Sequence, residues 1–149
     1  MVALTEIEIS NLRIALKRVA FLEHLKIEEL DLLIGALAPS PFQAGEIIIK
    51  QGERGRTFYL IADGSVTISR RRLFRTTNIA TRRAGEFVGE MALLKDEPRN
   101  ATVTGEIPGK VYGLSREAFD AILLKNPSIA TMVRKTAADR RAEDQELGK

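Results

Sequence analysis

A carboxylate at Glu90 and a guanidinium at Arg99 frame the stretch of this chain whose residue types suggest ligand chemistry. It reads Phe87-Val88-Gly89-Glu90-Met91-Ala92-Leu93-Leu94, then Pro98-Arg99-Asn100-Ala101-Thr102-Val103. A helix start exposes backbone N–H groups that find no partner inside the helix, and such groups bind phosphate. Gly89 lets backbone approach a ligand closely, and Ala92, one turn in, keeps the space open. Arg99 carries a planar, permanently charged fork able to grip two phosphate oxygens at once. Glu90 accepts hydrogen bonds, which suits a sugar hydroxyl. An acid for a ribose, an arginine for a phosphate and a helix start between them describe a nucleotide site without catalytic machinery. Short motifs also match by chance, and on these two residues alone a second reading stands: a helical turn whose Glu90 forms a structural salt bridge with Arg99.

The rest of the composition removes most rival chemistries. The chain has 149 residues, enough for one domain with a real core, and a net charge of +3 that is too mild by itself to imply nucleic acid. It contains no cysteine, so disulfides, thiolate catalysis and cysteine metal sites are excluded. The single histidine, His24, sits in FLEHLKIEEL among helix formers and reads as an ordinary surface or partly buried side chain. The N-terminal segment has acidic residues and no signal-peptide core, and no apolar run reaches the roughly 18 residues of a membrane helix. The expectation is a cytoplasmic, non-enzymatic domain with no metal, no cofactor beyond its ligand and no membrane segment.

The elements that must position the site follow from periodicity. From Ser10, a plausible N-cap, Leu12, Ala15, Leu16 and Val19 recur at helix spacing. Ile27, Leu30, Leu33, Ile34 and Leu37 make a second helical stripe. Pro39-Ser40-Pro41 ends it, because the residue before a proline avoids the α region. From Phe42 to about Leu114 short apolar runs, Ile47–Ile49, Phe58–Ile61, Val66–Ile68 and Lys110–Tyr112, read as strands, with glycines such as Gly64, Gly105 and Gly109 as turns. Evenly spaced short strands suggest a closed or two-sheet β structure. Within it, GEMALL is rich in helix formers and reads as a single helical turn. After Leu114, Ser115 caps SREAFDAILLKN with Glu117 and Asp120 near its positive end. Pro127 then restarts a helix whose stripe is Ile129, Met132, Val133, Thr136 and Ala137.

Gly89 to Val103 resembles the phosphate-binding cassette of cyclic-nucleotide-binding domains, shared by bacterial cAMP receptor proteins, cAMP-dependent kinase regulatory subunits and nucleotide-gated channels. A second stretch agrees: Ile48-Ile49-Lys50-Gln51-Gly52-Glu53-Arg54-Gly55, then Phe58-Tyr59-Leu60-Ile61 and Gly64, is similar to the family's strand–turn–strand signature. The resemblance implies a mainly β fold, an antiparallel, jelly-roll-like β-roll with N-terminal helices and C-terminal lid helices. It implies one domain over residues 1–149: helices in 1–38, the roll in 42–114 with its cassette at 87–103, and hinge and lid in 115–145. Glu90 would bind the ribose 2′-hydroxyl and Arg99 the cyclic phosphate, with backbone at Gly89, Met91, Ala92, Asn100 and Ala101 along the phosphate. Ile68, Val88 and Ala80 would give apolar contact near the base. Gly52, Gly55 and Gly64 are structural in the family and stand outside the site. Asn100 departs from the small residue usual after the arginine; a hydroxyl there can favour guanine, so the choice between cAMP and cGMP stays open, with cAMP favoured.

The last helix, RKTAADRRAEDQ, looks like the closing segment of bacterial nucleotide-gated potassium channels, in which an arginine folds over the base. By position that residue is Arg140, on the same helical face as Val133 and Thr136, where it either stacks on a purine or is a solvated arginine. Binding would be passed on through the C-terminal helices to an effector that the sequence does not identify. Two rivals remain: a family-fold interaction scaffold that binds no nucleotide, and a truncated DNA-binding regulator of the cAMP receptor type. The latter needs a helix-turn-helix after the lid, so no nucleic acid is expected as a partner of this chain. Arg70, Arg71, Arg72, Arg75, Arg82 and Arg83 crowd one hairpin. They read either as a solvated edge that discourages strand pairing or as a surface for an acidic partner or an anionic membrane.

Overall fold

The computed structural model describes residues 4–147, with side chains described as far as 138. Leu37–Glu117 forms one compact unit, and the chain before and after it forms a second.

The second unit is helical. Helix α1 (Glu6–Lys17) starts earlier than the apolar pattern implies, because Thr5 and Glu8 form a reciprocal capping box: Glu8 N–H donates to Thr5 Oγ1 and Thr5 N–H to Glu8 Oε1, both at 3.1 Å. Ser10 is therefore inside the helix and is not its cap; the first turn faces solvent, where cap chemistry rather than hydrophobic spacing sets the start. A 3-10 turn (Ala20–Leu22) and α2 (Ile27–Ile34) follow. After the sheet come α3 (Arg116–Lys125) and α4 (Pro127–Leu147), the latter restarted by Pro127 as expected. Leu12, Leu16, Leu22, Leu30, Leu33 and Phe119 are buried, and so are Ile129, Val133 and Thr136 of the α4 stripe, whereas Met132 of that stripe is exposed and Ala137 is half-buried. Phe21 meets Phe119 edge to face at 6.4 Å. His24 is exposed beside Glu23, as a surface histidine would be.

The other unit is an antiparallel sheet of six strands, the β-roll that the motifs imply. Its path is β1 (Ala38–Phe42), β6 (Thr102–Ser115), β3 (Thr57–Arg72) and β4 (Arg75–Arg83); β2 (Ile47–Ile49) pairs with β6 and β5 (Phe87–Val88) with β3. The second helix ends at Ile34, ahead of Pro39-Ser40-Pro41, so Leu37 lies outside it; that segment itself lies in β1, an edge strand at one end of the path, where a missing N–H costs no ladder bond. Other sequence expectations change here. The strands expected at Phe58–Ile61 and Val66–Ile68 are one continuous β3, and Lys110–Tyr112 is part of a long β6. Gly64, Gly105 and Gly109 are not turns between strands. Register shifts between Ile61 and Val66 absorb the irregularity, and at Gly105 and Gly109 the backbones of Gln43 and Asp63 pass too close for any Cβ. The core of the roll is Phe42, Ile49, Ile61, Val66, Val88, Val103 and Val111, with Ile48, Tyr59 and Ile68 packed against it.

Candidate functional site

Strand β5 delivers the chain to the site. Val88 pairs with Tyr59 and is buried in the roll's core. Gly89 then adopts the left-handed conformation, φ 74, and turns the chain into a 3-10 turn, Glu90–Leu93. The expected helical turn is present, tighter and shorter than an α-helix. Ala92 and Leu93 are buried, Glu90 is half-buried and Met91 is 41% exposed. Among the described residues none accepts from the N–H groups of Glu90, Met91, Asn100 or Ala101. These are the backbone donors that an anion at this turn would use.

Arg99 is fixed from both ends. Its N–H donates to Glu53 O and its carbonyl accepts from Gly52 N–H, both at 2.8 Å, so the Gln51–Gly55 turn clasps its backbone. Gln51 N–H also donates to Thr102 Oγ1 at 3.0 Å. The guanidinium donates from Nη1 to Gly89 O at 3.3 Å and from Nη2 to Thr57 O. Nε is buried without an acceptor. A Cβ at Gly89 would come within 2.6 Å of Nη1, and one at Gly55 would collide with Nε. The guanidinium therefore lies against two glycines, one from each sequence motif.

Burial pushes the Arg99 pKa down from its ordinary value, opposed by the negative ends of Tyr59 and Glu90. An arginine does not lose its proton in this range, so the partly buried fork stays charged. No ion pair joins Glu90 to Arg99 among the described residues. The structural salt bridge that the two residues might have formed is not there. A half-desolvated cation held by neutral carbonyls, with donors to spare, is a seat for an external anion.

The apolar side is assembled by register. Ile68 pairs directly with Ala80 across β3 and β4 and with Val103 across β3 and β6, so the three share one face. Ile68 packs against the cluster that contains Val88, and Ala80 is half-buried. Asn100 is exposed, and its carbonyl accepts from Arg70 Nε at 3.1 Å; Ala101 beside it is buried. Arg140 falls in α4, and its side chain lies outside the described residues.

Sequence reading missed Gly55, Thr57 and Arg70 as neighbours of this site. Gly55 stood out by its motif but was taken as structural only; Thr57 carried no signal, since it offers a backbone carbonyl to a residue 42 positions away. Elsewhere a cleft of about 370 Å³ is lined by Asp120, Leu123, Pro127, Ala130 and Arg134, with no cassette residue among them. No cluster of three His, Asp or Glu residues able to hold a metal occurs among the described residues, and no helix among them is long and apolar enough to cross a membrane.

Comparison with known proteins agrees with this geometry. The family model described as "Cyclic nucleotide-binding domain" matches residues 39–126. A cGMP-dependent protein kinase of Eimeria tenella is 34% identical over 72% of the chain, which spans 10% of that kinase. A cyclic nucleotide-gated potassium channel of Rhizobium etli is 34% identical over 73% of the chain, 29% of the channel. The co-crystal structure of the regulatory domain of Toxoplasma gondii PKA with cAMP superposes with a TM-score of 0.72 at 26% identity, covering 80% of this chain and 46% of that one. The chain thus spans a third or less of the length of these two curated relatives.

Proposed function

The chain belongs to the cyclic nucleotide-binding domain family, and from that premise we propose that it is a non-catalytic sensor of a cyclic mononucleotide. One observation carries the reading: Arg99, partly stripped of water, is held by the backbone carbonyls of Gly89 and Thr57 against two glycines, with no ion-paired carboxylate among the described residues. Arg99 takes the cyclic phosphate, together with backbone at Gly89, Met91, Ala92, Asn100 and Ala101. Glu90, half-buried and without an ion-pair partner among the described residues, accepts the ribose 2′-hydroxyl. Ile68, Ala80 and Val88 contact the base, and Arg140 stacks over it from α4.

cAMP is the favoured ligand. The small hydroxyl that suits guanine is absent after Arg99, where Asn100 stands instead. Occupancy is read out by the C-terminal helices as a shift between two populations. The two units act as one cyclic-nucleotide-binding domain, in the cytoplasm, coupled to an effector in the same or another chain. Calorimetric titration with cAMP and with cGMP tests the ligand: saturable binding of cAMP, weaker for cGMP, is the expected result. Failure of both to bind would leave the scaffold reading in its place. Backbone chemical shifts test the readout, since a titration that moves the cassette and leaves α4 unmoved rules out transmission through that helix.

A further inference from the structure

The β3–β4 hairpin ends in a two-residue turn, closed by the directly opposed pair Arg72 and Arg75. The turn itself is Leu73 and Phe74, which are 89% and 100% exposed. Leu73 holds φ 55, a conformation that a branched side chain adopts at a cost and that glycine or asparagine would fill more easily. Nothing in the roll's own packing accounts for two large apolar side chains at this tip.

The charges around it are equally one-sided. Like charges directly opposite across a ladder repel, and alternation puts Arg70 on the same face as Arg72 and Arg75, with Arg71 on the other. Arg82 and Arg83 add two more charges at the base. No acidic residue occurs between Gly64 and Gly85, and no ion pair neutralises any of these arginines among the described residues. The six positive charges exceed the chain's net charge of +3, so the remainder of the protein is net acidic and the hairpin is a pole.

The pole is also braced. Gln51 pairs its side-chain amide with both backbone groups of Arg71, donating to its carbonyl at 2.9 Å and accepting from its N–H at 2.7 Å. Together with the Arg70 bond to Asn100 O, this ties β3 behind the tip to the segments at Gln51 and Asn100.

We propose that the Arg70–Arg75 tip is a docking element for an anionic lipid bilayer, with Leu73 and Phe74 entering the acyl boundary and the arginines meeting headgroup phosphates and carboxylates. An acidic protein or a nucleic acid would satisfy the guanidiniums but offers no apolar medium for the tip. A bilayer interface supplies both layers in the order in which the hairpin presents them. Arg72 and Arg75 flank the tip directly, and Arg70 lies roughly 7 Å further back along the strand, within the 5–10 Å depth over which interfacial elements bury. Surface arginines near an anionic leaflet gain about fivefold in binding each, and burial of Phe74 adds roughly tenfold.

Co-sedimentation of the full chain with vesicles of phosphatidylcholine, alone or mixed with phosphatidylserine, tests this. Binding is expected to the mixed vesicles only and to weaken steeply with salt. Phe74→Ser is expected to weaken it roughly tenfold, and Arg72→Gln with Arg75→Gln roughly twenty-five-fold. These exposed substitutions lie outside the cassette, so unchanged cAMP titration of each variant reports an intact fold and separates this outcome from failure of the nucleotide reading. Absence of binding to the mixed vesicles overturns the proposal. So does binding indifferent to Phe74→Ser, or a preference for a DNA duplex or polyglutamate over the mixed vesicles.

Discussion

Arg13 in the helical unit and Arg99 in the sheet unit are both half-buried, yet the protein completes one and leaves the other incomplete. Arg13 donates from Nε and Nη2 to the two carboxylate oxygens of Asp31, each at 2.8 Å, a fork-to-fork pair that raises its own pKa and depresses that of Asp31. Among the described residues Arg99 donates to backbone carbonyls alone, and burial lowers its pKa. The first geometry is self-neutralising and serves stability. The second retains its charge and spare donors, which is what the proposed ligand site requires. The same side chain is closed to an external anion or open to one according to whether the fold supplies its partner.

The largest effect that tests this contrast is Arg99→Ala. It is expected to remove charge-assisted bonds of about 1.5–3 kcal/mol, roughly ten- to over a hundredfold in cyclic nucleotide affinity, whereas Arg13→Ala should leave that affinity unchanged and lower the melting temperature. Titration calorimetry and thermal unfolding of both variants separate the two; equal losses of affinity would erase the distinction. Arg99→Lys should bind poorly as well, because a point charge does not replace a planar fork.

Next come the two glycines against the fork. Gly89→Ala forces a side chain into a left-handed conformation, at about 1–2 kcal/mol, and into Nη1. Gly55→Ala crowds Nε with no φ penalty, so its loss of affinity isolates the effect of displacing the guanidinium. Unaltered cAMP binding by Gly55→Ala would mean that the fork's position is not what the ligand reads. Arg140→Ala is expected to weaken binding less than either Arg99 variant, and no change at all would assign Arg140 to solvent.

The smallest effect is a pH dependence carried by carboxyls that an arginine completes, Asp31 first among them. The Asp31 carboxyl is held below the usual range, chiefly by the hydrogen bonds from Arg13 and against a smaller opposing effect of burial. A carboxyl depressed in the folded state favours folding at pH above its unfolded value, about 3.9, and that contribution drains away as the pH falls through the lower folded value. Glu117 behaves likewise, held down first by a backbone N–H and then by Arg56. Asp31→Asn should therefore flatten the acid limb of the melting curve against pH, and Arg99→Ala should not.

Local chemistry was legible without coordinates. The turn at GEMALL, the restart at Pro127 and the buried positions of the α4 stripe follow from propensity and spacing, which act over a few residues. The presence of an acid and an arginine within one short stretch is likewise read from the sequence alone. Contacts between distant segments were not legible. That Gly55 and Thr57 close around Arg99, that Gly105 and Gly109 are places where strands cross too closely for a Cβ, and that two expected strands are one, depend on which backbones the roll brings together. Propensity says what a segment prefers to be, whereas the partner of a buried cation is decided by closure of the sheet. Residue types therefore nominated Arg99, and only the folded chain determined that its guanidinium makes no ion pair among the described residues.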